Sequence, residues 1–358
     1  MSVIAAMAGV LDRGVSNLGG GFGPSDDAER ITAGARAAMG RMLGADASTV
    51  SFGQNMTSLT FAMSRALGAT WSEGDAIVLT SLDHDANFTP WAMAARDAGV
   101  DVRIAEFDPT TGLLDPSRVA ELLDERVRLV AVCLASNALG TVVDVPAVSE
   151  AAHRVGAVVY VDAVHAAPHI PIDVTSLGCD FLVASAYKFF GPHTGILYGA
   201  QEQMSSIEAY KVRPAPSDPP GKWETGTQSF EALAGVTAAV EYLEALGADA
   251  IAQQETLLGR RFLDGIADLG HVDLYGVPRM DGRRVATFAV DVAGRRPDEV
   301  AGRLADAGIY VWSGHYYAVN VMERLGLIDT GGLVRIGFVH YNTTDEVDRA
   351  LEVLAALS

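Results

Sequence analysis

The chain has 358 residues, enough for two domains or for one large domain with a smaller partner. Its net charge of −19 argues against nucleic acid or an anionic membrane surface as a partner, and leaves any anionic ligand to helix N-termini and a few placed arginines. The apolar runs are strand-sized and none reads as a membrane span; the first residues lack the basic segment of a secretory signal, so the cytoplasm is the expected location.

In chain order, "FGQNMTSLTFAM" (52–63) reads as a turn into a helix whose first amides, near Met56 and Thr57, can face an anion. Short apolar runs then alternate with amphipathic segments. "DAIVLTSLDHD" is a strand followed by polar residues, "WAMAARDAG" a helix ending at Gly99, and "VDVRIAEF" a strand. "DPSRVAELLDE" is a helix, "VRLVAVCLAS" a strand, "VPAVSEAAHRVG" a helix, and "AVVYVDAVH" and "CDFLVASAY" are strands. Such strands with intervening helices predict a mostly parallel sheet covered on both faces, with ligands at the carboxyl ends of its strands. The Pro- and Gly-rich stretch 213–228 reads as a loop near a domain boundary. Beyond it come a helical region (229–268), the strands "VATFAVDV" and "LVRIGFV", and a last helix with capping-box spacing at Thr343 and Glu346. The expected organisation is a large α/β domain over 15–228 and a smaller α+β domain over 229–358, with 1–14 packing near the latter. Cys133 and Cys179 sit in or beside apolar runs without metal-ligand spacing and read as buried structural thiols, and no metal site is expected.

Only three lysines stand among the 26 basic residues, so a lysine set between apolar residues and a glycine turn, Lys188 in "SAYKFFGP", needs a reason. A lone lysine is usually a solvated surface residue, and a lone aspartate after a strand, such as Asp162, is usually a turn former. One cofactor explains both. Pyridoxal phosphate needs an amine for a Schiff base and a carboxylate facing its pyridine nitrogen. Arginine cannot serve as that amine, because it is never usefully deprotonated.

Taken together, these motifs resemble the class V aminotransferase family, fold type I pyridoxal phosphate enzymes, in its cysteine desulfurase-like branch. The resemblance runs from about residue 10 to the end. "ASAYKFFGPHTGILYG" resembles the Schiff-base lysine motif around Lys188, and "VDAVH" the aspartate motif around Asp162. "LDHDANFTPW" resembles the segment that puts a histidine, here His84, on the cofactor ring. "ASNALGT" resembles the segment whose asparagine, here Asn137, contacts the ring hydroxyl. The resemblance further implies Ser185 and Tyr187 as phosphate-side hydroxyls, although the family usually has histidine where Tyr187 stands. "ETGTQ" implies that Thr227 reaches the phosphate of a neighbouring subunit, hence a homodimer with shared sites. Arg335 in "LVRIGFVHYNT" is implied as the substrate-carboxylate arginine, a role that suits a bidentate guanidinium. The implied fold is a mostly parallel seven-stranded sheet plus a smaller C-terminal unit.

Three departures bear on the reaction. Desulfurases relay sulfur through a mobile cysteine, and the matching stretch "GIYVWSGHYYAVNVM" holds Tyr316 and Tyr317 and no cysteine. Position 165, usually glutamine in desulfurases, is His165, which can hydrogen-bond the ring hydroxyl, shuttle a proton or make an inert contact. Relatives also begin further upstream with a strand that helps line the substrate site, which implies a shortened chain or a pocket built differently. The leading expectation is a carbon–sulfur lyase acting on a cysteine-type amino acid or S-conjugate, with His315, Tyr316 and Tyr317 either protonating the leaving group or shaping the pocket. An aminotransferase or an epimerase is the alternative within the family, and a cofactor-binding relative without turnover the alternative outside enzymes.

Overall fold

The computed structural model describes residues 2–358. Seven strands form the larger sheet: β1 (Val50–Gly53), β2 (Ala76–Thr80), β3 (Asp101–Ala105), β4 (Val127–Cys133), β5 (Val158–Asp162), β6 (Phe181–Ser185) and β7 (Gly195–Gly199). Their order is β1-β7-β6-β5-β4-β2-β3. The joins from β6 through β5, β4 and β2 to β3 are parallel, and β7 runs antiparallel to both of its neighbours. Every residue of β2 and β6 is buried, as near-continuous apolar strands require when helices cover both faces. The two faces bury separate clusters, one around Met39, Phe52 and Phe189, the other around Trp91, Tyr160 and Phe181.

A second, antiparallel sheet comprises β8 (Val272–Tyr275), β9 (Thr287–Val292), β10 (Trp312–Gly314) and β11 (Leu333–Gly337), in the order β10-β11-β9-β8. Phe288 of β9 packs on Phe262 of the helix Ala248–Ala267 and on Phe338 just after β11, and Val347 and Leu354 of the helix Thr344–Ala355 join the same core. The Thr343–Glu346 capping box opens the last helix as its sequence predicts. Helices Val3–Arg13 and Gly23–Leu43 both pack on Phe230–Leu246.

Two expected helices differ in extent. The run predicted over 115–125 is helical only at Pro116–Ala120, where it is too short to be read from periodicity. The helical region 229–268 breaks at Gly247, whose φ of 84° ends one helix and starts the next at a new angle.

Candidate active site

The carboxyl ends of β4, β5 and β6 open on a cleft of about 1180 Å³. Asp162, the last residue of β5, is buried there, and its Oδ1 accepts a hydrogen bond from the Val164 amide at 2.8 Å. Burial pushes its pKa up to about 6; the Val164 bond and the nearby Lys188 charge hold it from going higher. Lys188 lies on the short turn Ala186–Phe189 that follows β6 and opens into the cleft. Its ammonium is 5.2 Å from the centre of the Tyr187 ring. Desolvation by the cleft walls, then the charge of Arg335, lower its pKa, against the pull of Asp162. The cleft thus holds an acid that resists ionising and an amine that resists protonation, the combination found where side chains do chemistry.

His84 caps the turn Asp85–Asn87 and accepts the Ala86 amide on Nδ1 at 3.0 Å. Burial and the Lys188 charge bring its pKa to about 4, so the ring is uncharged at neutral pH. Beneath it, the buried Asp83 accepts Asn87 Nδ2 at 2.7 Å and the Thr80 hydroxyl, which pins the turn that carries His84. The Tyr317 ring stacks on His84 at 5.6 Å, 15° from parallel.

Tyr316 and Tyr317 are consecutive residues with φ of 51° and 59°, a left-handed backbone that costs such residues about 1–3 kcal/mol each. Two hydrogen bonds hold them there. The Asp85 amide donates to the Tyr317 carbonyl at 2.6 Å, and Asn137 Nδ2 to the Tyr316 carbonyl at 2.9 Å. Arg335, on β11, lies 4.8 Å over the Tyr316 ring and donates to the Asn137 carbonyl at 2.9 Å. Asn137 Oδ1 and the Tyr316 hydroxyl are buried without a partner among the described residues. Burial raises the Tyr316 pKa, so that hydroxyl stays protonated. Exposed His315 accepts the Tyr317 amide on Nδ1 at 3.1 Å.

At the other side of Lys188 the helix Met56–Gly68 begins, capped by Asn55 and Ser58. The Met56 amide is not free to meet a ligand: it donates to Ser185 Oγ at 3.0 Å. That bond leaves the Ser185 hydroxyl hydrogen and the Thr57 amide, which has no partner among the described residues, as donors into the cleft. Tyr187 is 42% exposed and stacks on His193 at 5.0 Å. Thr227 is exposed on its loop and does not line the cleft of its own chain. Cys133 and Cys179 are buried, and burial raises both thiol pKa values.

Sequence reasoning singled out His165 but passed over three residues around it. His165 Nε2 lies 3.0 Å from Thr287 Oγ1, and its ring meets that of His169 at 5.1 Å and 62°. His169 Nδ1 is in turn 2.8 Å from Glu255 Oε2. The four-residue spacing of His165 and His169 was a visible signal. Glu255 was marked too, since it sits in the apolar stripe Ile251, Leu258, Phe262 of its helix. Thr287 carries no local signal.

A family model described as aminotransferase class-V matches residues 1–350. A probable cysteine desulfurase of Mycolicibacterium paratuberculosis is 35% identical over 339 residues, which cover 90% of this chain and 48% of that protein. A cysteine desulfurase of Dickeya dadantii is 33% identical over 85% of this chain and 76% of its own length. The chain therefore spans about half the length of the mycobacterial relative. Among solved structures, a cysteine desulfurase from Thermococcus onnurineus NA1 superposes with a TM-score of 0.94 at 30% identity, over 99% of this chain and 90% of that one. The cysteine desulfurase CsdA from Escherichia coli does so with a TM-score of 0.89 at 25% identity, over 99% and 90%.

Proposed function

The chain belongs to the aminotransferase class-V family, and on that premise we propose that it is a pyridoxal-phosphate-dependent enzyme that cleaves a carbon–sulfur bond in a cysteine-type amino acid or S-conjugate. The observation that carries this reading is the convergence of Asp162 and Lys188 on one cleft, with the acid's pKa raised by burial to about 6. The residues present fit the cofactor. Asp162 suits a protonated pyridine nitrogen, uncharged His84 a ring face, and the unpartnered Asn137 Oδ1 a ring hydroxyl. Ser185 and the Thr57 amide suit the phosphate. The cofactor, when bound, supplies an electron sink for charge developing at the substrate α-carbon.

The chain's own groups then divide the work. Arg335 binds the substrate carboxylate through the guanidinium hydrogens left free by Asn137. Lys188, its basicity lowered by the cleft, takes the α-proton. Asp162 keeps the proton on the pyridine nitrogen. The Tyr317 ring covers one side of His84, and the buried, protonated Tyr316 hydroxyl would donate to a departing sulfur. The Tyr316–Tyr317 pair in place of a cysteine supports elimination without a protein-bound sulfur relay. Thr227, exposed on its loop, suits a role at a neighbouring subunit's site, so the active form we infer is a homodimer. We take the cofactor-binding unit to be 15–228, the smaller unit 229–358, and the compartment to be the cytoplasm. Met1 lies outside the described residues.

The loaded enzyme is expected to show a visible absorbance band that Lys188→Ala abolishes. It is expected to release pyruvate and ammonia from S-substituted cysteines without a keto-acid acceptor. Absence of the band from the wild type would sink the cofactor assignment. A strict need for a keto acid would replace the lyase with an aminotransferase, and solvent deuterium uptake with inversion at the α-carbon would replace it with an epimerase.

A further inference from the structure

His165 lines the cleft three residues beyond Asp162, and its chemistry turns on which ring nitrogen carries the hydrogen. Among the described residues its side chain has one hydrogen bond, between Nε2 and Thr287 Oγ1 at 3.0 Å. Thr287 is 3% exposed, and its hydroxyl has no other hydrogen-bond partner among the described residues. If Nε2 carried the hydrogen it would donate to Oγ1, and the threonine's own hydrogen would be buried without an acceptor, at a cost of about 1–3 kcal/mol. If the threonine donates to Nε2, both groups are satisfied and the imidazole hydrogen lies on Nδ1. That nitrogen has no hydrogen-bond partner among the described residues.

The second support comes from His169. Residues 163–170 form a turn in which Ala167 and Ile170 bond back to Ala163 and Ala166, so His165 and His169 share one face. The His169 ring meets His165 nearly edge-on at 5.1 Å and fills the space a turning imidazole needs. His169 is itself fixed through Nδ1 by Glu255 Oε2 at 2.8 Å, both side chains being buried. Glu255 Oε1 has no partner among the described residues, an arrangement a purely structural contact does not need. Glu255 comes from the helix Ala248–Ala267 and Thr287 from β9, so groups far along the chain clamp one histidine on the turn after β5.

We propose that Thr287 and the His169–Glu255 pair are positioning residues that fix His165 with its hydrogen on Nδ1, so that His165 meets the cleft as a hydrogen-bond donor and not as a base. Its burial, before any neighbouring charge, lowers the His165 pKa well below the usual imidazole value, in keeping with an uncharged ring. The acceptor would be an oxygen of the bound ligand. Only that last clause rests on the cofactor reading; the tautomer does not.

The test is long-range nitrogen–proton NMR on the ¹⁵N-histidine-labelled full chain without added cofactor, with His165→Asn to assign the signals. The wild type is expected to show an unprotonated Nε2 and a protonated Nδ1 at His165, unchanged from neutral to mildly acidic pH. Thr287→Val is expected to raise the population of the other tautomer, Thr287→Ser to keep the wild-type pattern, and Glu255→Leu to broaden or split the His165 signals. A wild-type His165 with its hydrogen on Nε2, a charged ring at neutral pH, or a Thr287→Val signal identical to wild type overturns the proposal. Because no cofactor is present, failure of the cofactor assignment leaves this result intact, and the reverse also holds.

Discussion

Arg335 is the clearest case of a residue whose chemistry follows from its neighbours. Asn137 takes one of its hydrogens and the Tyr316 ring centre lies 4.8 Å from it, so the guanidinium is held before a substrate arrives. A lysine at this position would keep the charge but lose both the fork and the stacking. Arg335→Lys is expected to lower kcat/KM about ten- to hundredfold, chiefly through KM, the range of one or two charge-assisted hydrogen bonds. Steady-state kinetics check this, and an unchanged KM would remove Arg335 from carboxylate binding. The roles proposed for Lys188 and Asp162 were legible at this scale because each residue is chemically out of place: a lysine in an arginine-using chain and an acid closing an apolar strand. Thr287 was not legible, because nothing local distinguishes a functional threonine from any other in a strand.

At the scale of elements, the start of the helix Met56–Gly68 depends on how closely β7 approaches it. A Cβ at Gly195 would lie 2.5 Å from the Asn55 carbonyl carbon, so only glycine lets that helix N-terminus seat beside Ser185. Gly195→Ala is expected to cost about 1–3 kcal/mol in urea unfolding, the usual penalty for overpacking. It should also weaken pyridoxal phosphate binding by displacing the Thr57 amide. Titration of the visible band measures the second effect, and an unchanged affinity would separate this helix start from the phosphate. Elements with explicit end signals were readable: the Gly99 stop, with its φ of 69°, and the Thr343 capping box. β8 and β10 were not, since three or four residues carry too little periodicity and β10 leaves Trp312 70% exposed.

For the whole molecule, the site carries a stability signature. Asp162 has a pKa of about 6 in the folded chain against an ordinary value of 3.8, so between those pH values the folded state holds a proton the unfolded state has lost. Its contribution to stability is therefore lost as pH rises from about 4 to 6, by about 3 kcal/mol in the cofactor-free chain. Measured by urea unfolding, the wild type should lose that amount relative to Asp162→Asn across this window. The opposite trend of His84, whose pKa falls to about 4, acts in both proteins and cancels. A difference that stays flat with pH would mean that Asp162 ionises normally. The shift itself exists because the fold buries Asp162 at the carboxyl end of β5, with β4 and β6 flanking it.

The sequence by itself determined the alternating strand and helix pattern, the parallel sheet and the chemically anomalous residues at its strand ends, because those signals are local: burial writes apolar runs, and a Schiff base demands an amine. Resemblance to a family then ordered those residues into roles. Only the tertiary structure decided what faces what. It gave the Met56 amide to Ser185, laid Tyr317 on His84, and set Thr287 and Glu255 against the histidines 165 and 169. The physical reason is that hydrogen-bond partners and desolvation depend on distances between residues far apart in the chain, such as Asn137 and Arg335, 198 positions apart, and no local pattern encodes such a distance.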